Sequence, residues 1–225
     1  MSRQLLRFSL SGVFAFAIPL FAQSSQPQAI PSDRSDAVYT IYSAVVNAPA
    51  LSHPDTSKKA LIEDSTGFKP DPSPLNCLNH PPSYRSSFEE ILMDFSAHKS
   101  DSFHLERKLT LTKPYELLNA AESKQFEQMT VNPSQLDGPR DQVDKFRGGT
   151  DLIRLGNVYL NRKQSLAIVH TQAFCGGLCG FWTWRVFEKT EDGRWNELHW
   201  RTCVAIASNP SPRRILVGDY LKSVQ

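Results

Sequence analysis

Apolar residues in the first half of the chain recur mainly at helical spacing. Over residues 37–48, the apolar side chains Val38, Ile41, Tyr42 and Val45 lie three or four positions apart, which predicts a helix. The same stretch is rich in β-branched and aromatic residues, so a strand is the alternative. On the spacing we favour the helix.

A second helix is predicted near Ser87. Ser87 and Glu90 have the spacing of a capping box, in which the two side chains bond to free N–H groups of the first turn. Apolar residues follow at i, i+3, i+4 and i+7, namely Phe88, Ile91, Leu92 and Phe95. This pattern predicts an amphipathic helix of about three turns.

Shorter patterns fill the middle of the chain. A third helix is predicted over residues 114–129. Its predicted buried side consists of Leu117, Leu118, Ala121 and Met129. Runs at 59–64 and 103–111 resemble short strands. The segment 65–85 contains five prolines, which predicts an irregular loop.

The last third of the chain changes to strand-like patterns. Four runs are predicted as strands, at 152–160, 165–174, 181–189 and 195–207. Before the last run, the pair Asp192-Gly193 favours a hairpin turn, because glycine accommodates positive φ. Consecutive hairpins build a meander. The sequence therefore predicts an α+β fold, with N-terminal helices and short strands before a C-terminal four-stranded antiparallel meander, braced by disulfides.

The first residues have the parts of a secretory signal peptide. Arg3 and Arg7 supply a positive start, and an uncharged, mostly apolar stretch runs from Phe8 to Ala22. This stretch is shorter than the ~18 apolar residues expected of a membrane-spanning helix. We therefore expect cleavage after Ala22, no stable membrane insertion afterwards, and a mature protein that is secreted or periplasmic. A retained membrane anchor is the alternative.

These signals divide the chain into four segments. We predict a signal peptide at 1–22, a flexible linker at 23–36, one α+β domain at 37–208 and a C-terminal tail at 209–225. The formal charge of +2 falls to about zero once the two arginines of the signal peptide are removed. Because a neutral chain has no long-range field to concentrate nucleic acid, we expect no nucleic-acid partner.

All four cysteines follow the predicted cleavage site, so an oxidising compartment makes disulfides their expected state. Cys175 and Cys179 flank glycines that let the backbone turn back sharply, toward the ~5.5 Å Cα separation of a disulfide. That pairing leaves Cys77 with Cys203. Zinc binding and thiol redox chemistry are the alternatives. Structural zinc sites prefer two close pairs of ligands, however, and redox pairs are usually spaced Cys-x-x-Cys.

The chain carries no recognisable catalytic or cofactor motif. Gly-x-Ser-x-Gly, the Walker loop, the dinucleotide fingerprint and His-Glu-x-x-His are all missing, so no cofactor or metal is predicted. The candidate ligand surface is aromatic, since Trp182 and Trp184 share one strand face and Trp200 can pair across the hairpin. His170 and His199 are expected to face each other nearby. For the tryptophans we nevertheless favour core packing over an open aromatic surface, and for the histidines we favour partly buried, hydrogen-bonded structural roles over a metal or acid–base pair.

Two functions fit this pattern. Disulfide bracing without a catalytic motif indicates a non-catalytic exported domain that binds a protein, a glycan or a small ligand. A cell-envelope hydrolase with dispersed catalytic residues, drawn from His170, His199 and nearby acids, is the alternative.

The region around the cysteine loop has a distinctive order of elements. An apolar strand, the loop CGGLCG, a second strand, an acidic-glycine turn and Trp195 follow one another over about residues 150–200. The sequence SLAIVHTQAFCGGLCGFWTWRVFEKTEDGRW resembles a group of uncharacterised exported bacterial proteins with no assigned activity. In that group more glycine follows the second cysteine, where this chain has Phe181 and Trp182. The resemblance supports the hairpin and the Cys175–Cys179 disulfide, and it implies no catalytic residue.

Overall fold

The computed structural model describes most of the chain after the predicted signal peptide. The described residues are 27–48, 59–68, 73–131, 143–176, 179–206 and 213–216. The predicted signal peptide 1–22 lies outside them, as does most of the predicted tail 209–225. Within the described ranges, no helix is long and apolar enough to cross a membrane.

Helices and strands are mixed along the chain, which confirms the α+β class. The helices are α1 (Ser32–Asn47), α2 (Pro74–Cys77), α3 (Arg85–His98) and α4 (Ala120–Val131), with a 3₁₀ turn at Pro82–Tyr84. The strands are β1 (Gln28–Ala29), β2 (Lys59–Glu63), β3 (Phe103–His104), β4 (Tyr115–Leu118), β5 (Gly149–Leu160), β6 (Leu166–Gly176), β7 (Cys179–Lys189), β8 (Trp195–Leu198), β9 (Cys203–Ile206) and β10 (Arg213–Leu216).

Eight of these strands form one mixed sheet, in the order β10-β9-β7-β6-β5-β2-β4 with β8 also paired to β7. β2 pairs in parallel with both β4 and β5. The strands β5 to β10 pair antiparallel with one another. β1 and β3 form a separate parallel pair. The central strands β5, β6 and β7 therefore have a neighbour on each edge and lie in the middle of the fold.

One face of the sheet is covered by α1. Ile41, Tyr42 and Val45 of α1 are buried in one apolar cluster with Leu155 of β5 and Val169 of β6. Because Val45 follows Ile41 by four positions and Tyr42 by three, the three residues share one side of α1. The predicted helix over 37–48 is confirmed, and its apolar spacing is the reason this side packs against the sheet.

The opposite face is covered by two helices. Phe88 and Ile91 of α3 pack with Ile168 of β6, while Phe126 of α4 packs with Leu152 of β5 in a separate cluster. Side chains alternate between faces along a strand, so the even-numbered residues of β6 point toward α3 and α4. The part of β6 that follows Ile168 lies between the two helices, and it carries His170.

Helix α1 begins earlier than predicted. Its first residue is Ser32, inside the segment 23–36 that was expected to be a flexible linker. The polar start of the helix is held in place by Arg34, whose guanidinium donates two hydrogen bonds to the Asp94 carboxylate of α3. A long-range ion pair, which local composition does not reveal, orders this stretch.

The predicted capping box of α3 is wrong. The helix starts at Arg85, directly after the 3₁₀ turn, so Ser87 lies inside the first turn rather than at its cap. Tyr84 occupies the N-cap position and makes no side-chain cap hydrogen bond. The apolar spacing of the helix is nevertheless as predicted, and Phe88 and Ile91 are its buried residues.

The predicted strand over 103–111 is also mostly wrong, because only β3 forms there. The backbone that follows bonds to side chains of α1 instead of to a neighbouring strand. The Tyr39 hydroxyl accepts the N–H of Glu106 at 2.8 Å, and the Ser43 hydroxyl accepts the N–H of Thr110 at 2.9 Å. These bonds satisfy the backbone while keeping the segment irregular.

The predicted helix over 114–129 contains a strand and a later helix. Its first residues form β4, which pairs in parallel with β2 in the register Ala60 to Tyr115. Leu118 is fully buried there. Helix α4 begins only after Asn119, whose side-chain oxygen accepts the N–H groups of Ala121 and Glu122 at 3.0 Å each.

The C-terminal sheet differs from the predicted four-stranded meander. The predicted last strand over 195–207 is divided into β8 and β9, which pair with different parts of the same edge of β7. The hairpin turn before β8 has Gly193 at φ 83°, as its sequence predicted. The sheet also continues beyond these strands, through β2 and β4 at one edge and β10 at the other.

Candidate functional site

A histidine surrounded by aromatic rings lies at the centre of the sheet face that α3 and α4 cover. His170 of β6 is only 3% exposed and pairs across the strands with Trp184 of β7. The centroid of its imidazole lies 4.9 Å from the ring of Trp184, 5.2 Å from that of Phe68 and 5.6 Å from that of Trp182. We call these four residues the aromatic-histidine site.

Among the described residues, the imidazole of His170 has no hydrogen-bond partner. Both Nδ1 and Nε2 are buried, and neither bonds to any group in the described part of the chain. Burial lowers the pKa of His170 to about 3, so the ring is neutral at physiological pH. A neutral imidazole has one donor and one acceptor nitrogen. Leaving a buried polar group unsatisfied costs about 1–3 kcal/mol, so this arrangement opposes folding unless something else serves the two nitrogens.

A β-bulge shapes the backbone opposite His170. The β5–β6 pairing changes register after Leu155, so Gly156 and Asn157 both stand opposite His170. A Cβ atom on residue 156 would lie 2.9 Å from the carbonyl oxygen of His170 and 3.3 Å from Cζ of Phe68. Glycine at this position is therefore what allows the backbone and Phe68 to approach the histidine.

The side chain of Asn157 ties the bulge to two other segments, namely the loop after β2 and the end of α3 with the loop that follows it. Its oxygen accepts a hydrogen bond from the hydroxyl of Thr66. Its amide nitrogen donates to the carbonyl oxygens of His98, at 3.1 Å, and Asp101, at 2.9 Å. The loop that carries Phe68 is thereby tied to the strand that faces His170. Asn157 acts on the site through the backbone, without touching the imidazole.

The four members of the site differ in exposure. Trp184 is 1% exposed and belongs to the apolar cluster under α3. Trp182 and Phe68 are half-buried, so part of each ring reaches the protein surface. The site is therefore closed at its base by Trp184 and bordered toward solvent by Trp182 and Phe68.

Trp200 lies at another part of the same cluster. It is half-buried, and the rings of Tyr84 and Phe88 meet it edge to face at centroid distances of 5.2 Å and 5.9 Å. The Tyr84 hydroxyl donates to the carboxylate of Glu188, 3.1 Å from either oxygen. Trp200 is thus held by aromatic contacts from the 3₁₀ turn and from α3, and the structure gives it no ring contact with the aromatic-histidine site among the described residues.

The Cys77–Cys203 disulfide holds these segments together, as predicted. Its Cα atoms are 5.1 Å apart and its sequence separation is 126 residues. Next to it, Asn79 and Arg201 form an isolated β-bridge. The disulfide and the bridge fix the loop that contains His80 and Tyr84 against the segment after β8. The predicted Cys175–Cys179 disulfide involves side chains that lie outside the described ones.

The structure brings together only some of the predicted site residues. His170, Trp182 and Trp184 converge, whereas Trp200 is farther along the cluster and His199 is exposed just after β8. The predicted pair of facing histidines is therefore not present. Trp195 points to the other face, where it packs in the cluster that contains α1.

Sequence reasoning missed Phe68 and Gly156. Gly156 did leave a signal, because an isolated glycine inside a strand pattern is typical of a bulge or a close backbone approach. The sequence gives no signal for Phe68, because this residue lies in a loop far from β6 along the chain.

The described side chains include no group of three or more histidine, cysteine, aspartate or glutamate residues placed to hold a metal ion. Comparison of the chain with protein-family models, curated proteins and solved structures gave no match. The geometry of the aromatic-histidine site is therefore the basis for assigning a function.

Proposed function

We propose that this chain is an exported, non-catalytic domain that binds a small ligand at the aromatic-histidine site. The observation that supports this function is the placement of a polar His170 among the rings of Phe68, Trp182 and Trp184, with neither of its nitrogens bonded to another described residue. Ligand sites in proteins are mainly apolar and aromatic, with a small number of polar groups that orient the ligand. This composition matches such a site.

Core packing alone explains the burial of His170 less well than ligand binding does. A well-packed core position would hold an apolar side chain, which carries no cost for unsatisfied nitrogens. The strand opposite His170 is bulged at Gly156 and Asn157, and bulges are over-represented next to functional sites. The cost of burying His170 is offset if a bound molecule supplies the missing hydrogen bonds.

The burial of the site favours a small ligand over a protein or a glycan. His170 and Trp184 are almost completely buried, so the flat surface of a macromolecule cannot reach them. Trp182 and Phe68, which are half-buried, can contact a molecule that enters from solvent. A glycan that stacks on Trp200 alone would leave His170 untouched and would contradict this assignment.

Export is part of the proposal and is supported by the Cys77–Cys203 disulfide. Disulfides that span long loops persist in oxidising compartments such as the periplasm or the extracellular space. The charge pattern and apolar stretch of residues 1–22 agree with a secretory signal. The resemblance to exported bacterial proteins points the same way.

The contacts of His170 do not favour the hydrolase alternative. A general acid–base histidine is usually oriented by a carboxylate or a nucleophile within hydrogen-bond reach. In the described part of the chain, neither ring nitrogen of His170 bonds to a carboxylate or a hydroxyl, and the imidazole contacts the rings of Phe68, Trp182 and Trp184. The exposed His199 is not one of these neighbours. A binding role therefore agrees better with the geometry.

A matched pair of tryptophan variants tests the proposal. Small neutral fragments are screened for binding to the mature protein by thermal shift and by intrinsic fluorescence. We expect Trp182→Leu to weaken binding about tenfold, because it removes a wall of the site. Trp195→Leu makes the same change on the opposite face and is expected to leave affinity unchanged, with circular dichroism confirming that both variants fold. Equal affinities for both variants, or binding abolished only by Trp200→Leu, would place the ligand elsewhere.

A further inference from the structure

We infer that His170 is the polar anchor of this site and that its ligand is a small neutral molecule with a hydroxyl group on a single ring, as in the phenol class. This inference rests on the proposed binding function and specifies its chemistry. It is drawn from the two unpartnered nitrogens of His170, the three rings around them and the tight backbone opposite.

A hydroxyl group suits the neutral imidazole of His170. One nitrogen carries a hydrogen and donates, while the other accepts, and a hydroxyl can complement either nitrogen because it both donates and accepts. An alkane or an unsubstituted aromatic ring would leave both nitrogens unsatisfied. The anchor therefore distinguishes a molecule with a hydroxyl from one of the same shape without it.

Charged ligands are disfavoured by the surroundings of the histidine. A buried charge needs an opposite charge or several hydrogen bonds to offset its lost hydration. The ring contacts of His170 are with Phe68, Trp182 and Trp184, and burial alone, with no charged group, shifts its pKa. The site therefore selects a neutral molecule.

The close packing limits the ligand to about one ring. Phe68 lies 5.2 Å from His170 between ring centroids, and its Cζ would touch even a methyl group on residue 156. A ring can reach the imidazole only if Phe68 turns aside toward solvent, where part of its surface already lies. The rings of Trp182 and Trp184 then provide apolar faces for edge-to-face or offset contact.

The experiment compares phenol with toluene, which has nearly the same shape but no hydroxyl. Affinities are measured by isothermal titration with the mature protein and with Phe68→Ala, in which the site is enlarged. We expect phenol to bind about tenfold more tightly than toluene to both proteins, since one hydrogen bond contributes on that order. Phe68→Ala is expected to tighten the binding of both probes, because apolar cavities of this kind accept ring-sized molecules.

His170→Phe in the Phe68→Ala background provides the decisive control. This double variant keeps an aromatic ring at position 170 but removes the anchor, so toluene is expected to bind at least as well as phenol. Nitrogen NMR of histidine-labelled protein gives a readout that does not depend on stability. Phenol, and not toluene, is expected to shift a His170 ring-nitrogen resonance.

The outcomes separate this inference from the proposed function. Equal binding of phenol and toluene, or a His170 resonance that phenol does not shift, overturns the anchor. If Trp182→Leu still weakens fragment binding in that case, the binding site stands while its hydroxyl chemistry is wrong. If no fragment binds the parent protein, or if fragments bind and Trp182→Leu leaves their affinity unchanged, both fail together.

Discussion

Gly156 and His170 approach each other so closely that a Cβ on residue 156 would lie 2.9 Å from the His170 carbonyl oxygen. From the other face of the sheet, the Tyr42 hydroxyl donates a 2.9 Å hydrogen bond to the carbonyl oxygen of Gly156. The bulge is thus fixed from both sides, by α1 below and by the aromatic-histidine site above. Any side chain at residue 156 must displace one of them.

Replacing Gly156 with alanine is expected to destabilise the protein by about 1–3 kcal/mol, because the added methyl group meets backbone that is already packed. Urea unfolding followed by circular dichroism measures the loss. Gly67→Ala is the control, since the Cβ there would meet mainly the hydroxyl of Ser102, a side chain that can rotate away. Equal losses in the two variants would mean that the contact with His170 does not constrain the bulge.

The burial of His170 makes stability fall in acid. Its pKa is about 3 in the folded protein and near 6.5 in the unfolded chain, so only the unfolded chain takes up this proton between those values. The contribution of His170 to the free energy of unfolding is therefore fully present above pH ~6.5. It is lost as the pH falls toward 3, by about 1.4 kcal/mol per pH unit.

His170→Phe tests this dependence because it removes the titrating group and keeps a ring in its place. Between pH 6 and about 4, the free energy of unfolding is expected to depend less steeply on pH in His170→Phe than in the parent protein. The difference in slope corresponds to the uptake of about one proton on unfolding. An unchanged slope in His170→Phe would show that the imidazole is already protonated or solvated in the folded state.

Much of the site could be predicted because successive side chains of a strand point to opposite faces, and this alternation depends only on the local sequence. Period-two spacing placed Trp182 and Trp184 on one face and Trp195 on the other, and the structure places their side chains accordingly. His170 was a candidate because it sits in the neighbouring strand. Its unpartnered nitrogens could not be predicted, since they depend on which loops and helices cover that face.

The fold was harder to predict where long-range pairing decides the structure. Residues 115–118 have the leucines of a helix pattern, but their backbone bonds to β2 and they become β4. The cap of the following helix did have a local signal that was missed. Asn119 and Glu122 bond reciprocally, the amide oxygen to the N–H of Glu122 at 3.0 Å and the carboxylate to the N–H of Asn119 at 2.8 Å.

Removing this cap gives a separate prediction. Asn119→Ala is expected to destabilise the protein by about 1 kcal/mol, because two N–H groups at the start of α4 lose their acceptor. Asn119→Asp retains a side-chain oxygen that can accept these hydrogen bonds, so it is expected to reduce the stability much less. Thermal unfolding at neutral pH compares the two. If the aspartate variant is as unstable as the alanine variant, the oxygen at residue 119 does not cap the helix.

The Cys77–Cys203 disulfide is expected to contribute several kcal/mol. In the chain-entropy model, a closure with a sequence separation of 126 residues stabilises by about 5 kcal/mol. The double variant Cys77→Ser, Cys203→Ser removes the cross-link without leaving a single reactive thiol. Denaturant unfolding measures the resulting change in the free energy of unfolding. Adding reductant to the parent protein is expected to produce a similar loss. A double variant as stable as the oxidised parent would show that the cross-link does not brace this loop.

The pair Arg185–Glu197 joins β7 to β8 and reaches across to α1. Two guanidinium nitrogens of Arg185 donate to the Glu197 carboxylate, and a third donates to the carbonyl oxygen of Val45 at 2.8 Å. The Arg185 side chain is 5% exposed, so its charge has almost no access to water. Glu197→Ala leaves that charge buried without its counter-ion and is expected to cost about 3 kcal/mol.

The exposed pair Lys108–Glu106 provides the control for this last prediction. Its side chains are 56% and 49% exposed, and pairs of that kind contribute little to stability because water screens them. Glu106→Ala is therefore expected to change stability far less than Glu197→Ala in the same urea titration. High salt is expected to weaken the exposed pair further while leaving the buried pair nearly unchanged. If the two variants lose equal stability, Arg185 must find other partners once Glu197 is removed, and burial would not set the strength of this ion pair.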